Sequence, residues 1–241
     1  MLSLGYRETW RLIQISSDIA YYGINLNQSL ILSRIGYTNG TTPYDTLWKL
    51  AVGNIIVQMA GYFPGFILGI FLPDIMGRKR QQGYLSALSA CLYAIWAGVS
   101  DHTSTGGLIT LFTLSQFVLN AGPNITTFLL PVELFPTRVR ATAHGIAAAV
   151  GKSGAVLTAF SFGTAADAIG IEGVLGLLSG IMALCVACTF LIPETRGCTL
   201  EDLENNTLYG GARLGSDSSV EDVGKDAKVP KSVDSMMESK A

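Results

Sequence analysis

Charge is scarce in this sequence: Asp, Glu, Lys and Arg make up 14% of its 241 residues, against roughly 25% in an ordinary soluble domain. The shortage is also uneven. Residues 193–241 hold ten acidic and six basic side chains, net -4, which leaves eight acids and ten bases, net +2, for the first 192 residues. A long apolar body therefore carries a short acidic tail. No run of Lys and Arg is dense enough to track a phosphate backbone, which excludes nucleic-acid binding. Histidine is rarer still, with two in the chain, and there are four cysteines. Cys91, Cys185 and Cys188 fall inside apolar runs and Cys198 in the tail, so no disulfide framework is suggested. The Cys185–Cys188 pair has redox spacing but lacks the electropositive, accessible helix start that lowers a thiol pKa; it reads as two small residues lining a helix. There is no metal constellation, phosphate-cradling loop or nucleophile with its base, so neither an enzyme nor a cofactor is expected.

What is abundant is long apolar runs. Six can be drawn: Trp10 to Leu32, Leu47 to Leu72, Gly83 to Ser100, Gly107 to Phe135, Ala141 to Ala168 and Gly173 to Ile192. Each is long enough as a helix to cross about 30 Å of hydrocarbon, the third only just. The expected class is an all-α membrane protein with six transmembrane helices in a lipid bilayer. Residues 1–9 form a lead-in, 10–192 the six-helix domain, 193–209 a post-helix segment in which Thr199 caps a short surface helix, and 210–241 a disordered acidic tail. The first run is too long and too polar for a cleavable signal. Arg7, Arg11, Arg78, Lys79, Arg80, Arg138, Arg140 and Arg196 fall on one side of the spans, and only Arg34 and Lys49 on the other. The asymmetry puts both termini in the cytoplasm. The glycosylation sequon at Asn39 then falls in an outside loop, whereas those at Asn124 and Asn205 fall in the membrane and the cytoplasm.

Polar groups at membrane depth carry the functional signal. Gln14, Asp18, Tyr22, Asn25 and Ser29 recur at steps of four, four, three and four in the first span, which places them on one helix face. Gln116, Asn120 and Asn124 do the same in the fourth span, and Lys152 lies about eleven residues into the fifth. Asp18 and Lys152 each oppose insertion by roughly 2.5–3.5 kcal/mol at a helix centre. One explanation is a structural ion pair between spans one and five. A solute site explains more, because buried pairs stabilise poorly compared with apolar packing and neutral hydrogen-bonding groups cluster alongside. Lys152 suits an anion. Asp18 repels one unless it is itself protonated or the ligand donates a hydrogen bond to it, as dihydrogen phosphate can and sulfate cannot. Gly61, Gly65 and Gly69 mark a close-packing helix surface, and Pro64, Pro123 and Pro131 should bend their helices.

Three stretches, "SSDIAYYGINLNQSLIL" (residues 16–32), "NAGPNITTFLLPVELFPTRVRATAHGIAAAVGKSGA" (residues 120–155) and "PETRGCTLEDL" (residues 193–203), resemble the phosphate:proton symporter family of fungi and plants within the major facilitator superfamily. "PDIMGRKR" (residues 73–80) resembles the superfamily's loop signature. The resemblance covers about residues 1–209 and implies helices seven to twelve of a twelve-helix fold. It implies that Asp18 and Lys152 are the charged pair of a phosphate site, that Tyr22 and Asn124 are ligands, and that Asp18 is protonated with loading and exchanges partners with Lys152. Gln14 stands where family members usually have Trp, and its amide could still bond an oxyanion, as could Asn25. Asp74 and Arg78 then resemble a cytoplasmic gate. Glu133, Arg138, Arg140, Glu194 and Arg196 resemble the charge network at the ends of helices ten to twelve, although orientation alone would explain the arginines. The implied partners are inorganic phosphate, protons and an amino-terminal six-helix half that has no counterpart in this sequence. The alternatives are a facilitator for sugar or another organic solute, and a half-length, non-transporting membrane partner.

Overall fold

A computed structural model describes residues 2–134 and 140–192, and these are helical apart from turns and short connections. The chain begins with α1 (Leu2–Leu26) and the short α2 (Gln28–Arg34), which continues the same passage. The helix starts eight residues before the first apolar run because hydropathy marks where lipid contact begins, and nothing in residues 2–9 is a proline to stop the helix earlier. The second passage is α3 (Pro43–Val57), a π turn at Gln58–Tyr62, and α4 (Phe63–Met76). Its start is set by Thr42, whose Oγ1 accepts the Asp45 amide at 3.2 Å and donates to Asp45 Oδ2 at 2.8 Å. Gly77 ends it at φ 91°, a conformation that glycine adopts without strain.

The third passage is α5 (Arg78–Val99). The fourth is split into α6 (Thr105–Ala121) and α7 (Pro123–Leu134) at Gly122 and Pro123. The fifth and sixth form one continuous helical run, α8 (Arg140–Phe190), broken in direction at Gly170, φ 75° and ψ 169°. Six passages thus follow the six apolar runs. The finer expectation of six transmembrane helices is met only in part. Among the described residues two helices, Pro43–Met76 and Arg140–Phe190, are long and apolar enough to cross a membrane by length and composition, with mean hydropathy 1.9 and 2.2. The other passages fall short for visible reasons. α1 carries a polar stripe, α5 has Gln81, Gln82, Ser86 and Ser89 buried on its inner face, and α6 and α7 are each interrupted before reaching full length.

The large core is built around Ile24, Ile31, Tyr93, Trp96, Phe112, Leu119, Leu175 and Leu178, and a smaller one around Trp10, Ile13, Leu130 and Cys185. The glycine stripe performs the close packing expected of it. A Cβ on Gly61 would lie 2.8 Å from the Thr113 carbonyl oxygen, on Gly65 2.7 Å from that of Phe117, and on Gly69 3.0 Å from that of Ala121. Each step of four on one passage matches a step of four on the other, the register of two parallel helices in backbone contact. Away from this seam Trp48, Ile55, Met59, Phe63, Ile70, Phe71 and Ile75 are exposed, as are Leu157 and Phe160 of α8. An apolar face of this extent is consistent with an integral helical membrane protein solvated by lipid.

Candidate functional site

α1 and α8 lie against each other, and the polar stripe of α1 faces that contact at its first two members. Gln14 and Asp18 are only 3% and 6% exposed. Gln14 Nε2 donates toward both carboxylate oxygens of Asp18, at 3.4 Å to Oδ1 and 3.3 Å to Oδ2. The close approach requires Gly151: a Cβ there would overlap Asp18 Oδ2 and lie 3.1 Å from Gln14 Cγ. Three residues on, Gly154 gives the same room to Ile19. The Gly and Ala content around Lys152 thus lets the α8 backbone lie over a buried carboxylate.

Lys152 follows Gly151 and is exposed. Its ammonium donates a hydrogen bond to the Tyr22 hydroxyl and sits 3.9 Å from the centroid of the Tyr22 ring, a cation–π contact. Tyr21 packs edge-on against Tyr22, with ring centroids 5.1 Å apart. Lys152 is close enough to act electrostatically on Asp18, yet no ion pair joins the two among the described residues. Each has a neutral partner of its own, an amide for the acid and a phenol for the base.

The remaining expected ligands are partnered separately. Asn124, in the first turn of α7, donates to Asn120 Oδ1 at 3.1 Å, and Asn120 donates to the Gln116 carbonyl oxygen at 2.7 Å. Tyr21 interacts with the Asn124 and Asn25 side chains. Asn25 Oδ1 accepts a hydrogen bond from the hydroxyl of Tyr62, which the π turn presents. Ser29, last of the stripe, accepts from Asn54 Nδ2 at 3.3 Å. The stripe therefore divides into Gln14 with Asp18, Tyr22 with Lys152, Asn25 with Tyr62, and Ser29 with Asn54.

At the other end of the molecule Arg78 joins three elements. Its Nη2 is 3.5 Å from Asp74 Oδ1, its Nε donates to Glu133 Oε1 at 3.0 Å, and its Nη1 donates to the Pro73 carbonyl oxygen at 3.2 Å. Asp74 of α4, Arg78 of α5 and Glu133 of α7 are thus brought together. Arg140 opens α8. Arg138, Glu194 and Arg196, like Cys198, Thr199 and the tail, lie outside the described residues.

Several polar groups escaped the sequence reading. Tyr21 and Tyr62 lie in apolar runs, where an aromatic residue carries no polar signal. Ser17 was hidden beside Asp18, and it shares a hydrogen bond with Cys185 Sγ at 3.4 Å. Gln82 donates to the same sulfur at 3.4 Å and accepts from Thr126 Oγ1. Gln81 donates to the carbonyl oxygens of Ala121 at 2.7 Å and Gly69 at 3.3 Å. The one available signal is two adjacent glutamines at the start of an apolar run, where an amide has either a dedicated partner or a cost. No group of three or more His, Cys, Asp or Glu side chains that could hold a metal occurs among the described residues.

The arrangement offers a buried carboxylate, an ammonium and neutral amides and phenols, the donor and acceptor set that a small polar solute requires. A family model described as sugar (and other) transporter matches residues 17–206. A Schizosaccharomyces pombe protein provisionally named an inorganic phosphate transporter is 44% identical over 211 residues, 86% of this chain and 36% of its own length. An inorganic phosphate transporter of Saccharomyces cerevisiae is 39% identical over 220 residues, 86% of this chain and 36% of that protein. A repressible high-affinity phosphate permease of Neurospora crassa is 38% identical over 222 residues, 88% of this chain and 38% of its own length. The chain spans a little over a third of the length of these curated relatives. It belongs to the sugar (and other) transporter family, of the major facilitator fold, and within it is homologous to the phosphate transporters.

Proposed function

We propose that the chain contributes the carboxy-terminal six-helix half of a proton-coupled inorganic phosphate symporter, with residues 10–192 corresponding to helices seven to twelve. Its partner is an amino-terminal six-helix half, in the same polypeptide or another, and the solute site lies between the two. Asp18, Tyr22, Asn124 and Lys152, with Gln14 and Asn25, are the phosphate contacts on this side. The observation that carries the reading is the buried carboxylate of Asp18 set beside, but not bonded to, the exposed ammonium of Lys152.

The chemistry follows from that separation. A dihydrogen phosphate ion accepts hydrogen bonds from the Lys152 ammonium and from the Tyr22 and Asn124 side chains, and donates one to Asp18. When Lys152 is engaged by the anion, its field no longer favours the ionised form of Asp18, and the carboxylate takes up the transported proton. When phosphate leaves, Lys152 again favours the carboxylate and the proton departs. The coupling needs only two charges within electrostatic reach, each with a neutral partner to return to. Asp74, Arg78 and Glu133, with Arg138, Arg140, Glu194 and Arg196, form the cytoplasmic gate and charge network, the protein lies in the plasma membrane, and both termini face the cytoplasm. The segments 1–9, 193–209 and 210–241 are its cytoplasmic flanks.

The test is phosphate uptake by cells expressing the transporter that contains this chain. Uptake should be stimulated by acid, competed by phosphate but not by sulfate or glucose, and abolished by Asp18→Asn. Unchanged uptake by that variant overturns the assignment, and competition by glucose moves it to an organic-solute facilitator.

A further inference from the structure

Two carbonyl groups inside the bundle have lost their helical donors. The Gly69 carbonyl would ordinarily accept from the amide four residues on, but residue 73 is proline, which has none. The Ala121 carbonyl would accept from Ile125, yet at the Gly122–Pro123 break the Ile125 amide turns instead to Gly122, at 3.0 Å. Both orphaned oxygens lie at the contact where Gly69 meets Ala121. An unsatisfied buried carbonyl is costly, more so where no water competes.

Gln81 supplies both missing donors. It is fully buried, and its Nε2 donates to Ala121 at 2.7 Å and to Gly69 at 3.3 Å. Its Oε1 has no partner, and this orientation is forced, since the flipped amide would set one oxygen against two others. The neighbouring Gln82 fastens the far side of the same break through Thr126. Between these two fastenings stands Asn124. Gly122 completes the fit, because a Cβ there would overlap the side chain of Leu85 on the helix that carries both glutamines.

We propose that Gln81 is a positioning residue for solute binding: it holds the proline break between α6 and α7 at one angle, and so aims Asn124 at the ligand. The inference rests on the phosphate reading above for the identity of that ligand, but not for the mechanical role. Gln81→Leu keeps a similar volume and removes both donors.

The full-length transporter containing this chain is examined by backbone hydrogen exchange and by phosphate uptake. The expected result for Gln81→Leu is faster exchange at residues 122–127 and a KM for phosphate raised about tenfold, one ligand hydrogen bond's worth, with maximal rate and membrane abundance retained. Faster exchange with an unchanged KM supports the mechanical role and removes Asn124 from the phosphate site. Unchanged exchange in a normally abundant variant overturns the proposal. If Gln81→Leu does not accumulate, Pro123→Ala and Pro73→Ala are added together, which returns the Ile125 amide to Ala121 and gives the Gly69 carbonyl an amide donor at residue 73. Restored abundance supports the proposal, and its failure to return overturns it.

Discussion

One amide of Gln14 spans both oxygens of Asp18, at 3.4 and 3.3 Å, in a contact closed from above by a glycine. The acid is held by a neutral donor on its own helix, while Lys152, which acts on it electrostatically, is engaged by Tyr22. Gly151 is the most sensitive point of this arrangement. Gly151→Ala drives a methyl group into Asp18 and should cost about 1–3 kcal/mol, the usual range for overpacking. Gly163→Ala on the same helix, where a Cβ would meet nothing within 4 Å, should be stabilising by about 0.5–1 kcal/mol. Opposite shifts in the thermal unfolding of the two purified variants are expected; equal shifts would show that the Asp18 contact is not tight.

The Lys152 ammonium has two attachments to one side chain, and they can be separated. Tyr22→Phe keeps the ring and removes the hydroxyl; Tyr22→Leu removes both. An exposed cation–π contact is worth about 0.5–1 kcal/mol, so acylation of Lys152 by an amine reagent, followed by mass spectrometry, should be about two- to fivefold faster in Tyr22→Leu than in Tyr22→Phe. Equal rates would assign the whole interaction to the hydroxyl.

Arg78 contacts two carboxylates of unequal worth. Glu133 is 17% exposed and 3.0 Å away, whereas Asp74 is 80% exposed and 3.5 Å away. Glu133→Gln should destabilise by about 1.5–3 kcal/mol, as for a charge-assisted hydrogen bond, and Asp74→Asn by less than about 1 kcal/mol, as for a surface pair. Chemical denaturation in detergent tests the order. A larger loss at Asp74 would mean that this residue contributes more to folding than its exposure allows.

Thr42 and Asp45 cap the second passage reciprocally. Thr42→Ala should cost about 1 kcal/mol and should raise hydrogen exchange in the first turn of α3 without altering α4, across the π turn. Uniform exchange through residues 43–76 would instead make this passage one cooperative unit.

The sequence was most readable where a residue conflicted with its surroundings. Asp18 and Lys152 stand out because a charge in an apolar run has a calculable cost, and Gly61, Gly65 and Gly69 because their spacing matches a helix turn. Span ends were readable too, except where helicity outlasted apolarity, as at Leu2–Thr9. Partnership was not readable. Gln81 answers carbonyl groups twelve and forty residues away, and nothing local to "QQG" names them. Likewise the separation of Asp18 from Lys152 depends on Gln14 and Tyr22 reaching them first, a competition decided by packing between α1 and α8. The π turn at Gln58–Tyr62 has no sequence marker except its outcome, a phenol turned onto Asn25.

The three-glycine register has a mechanical corollary. Each glycine opposes a carbonyl oxygen at a separation that admits no β-carbon, so sliding the second passage along the fourth by one residue would bring Tyr62, Phe66 and Ile70 toward that narrow seam. The pair behaves as a detent, free only to jump by whole turns of about 5.4 Å, and a jump would drive Val57 or Pro73 into the gap. These two passages are therefore geared to travel as a single strut, and any rocking of the bundle must find its pivot elsewhere, as at Gly170.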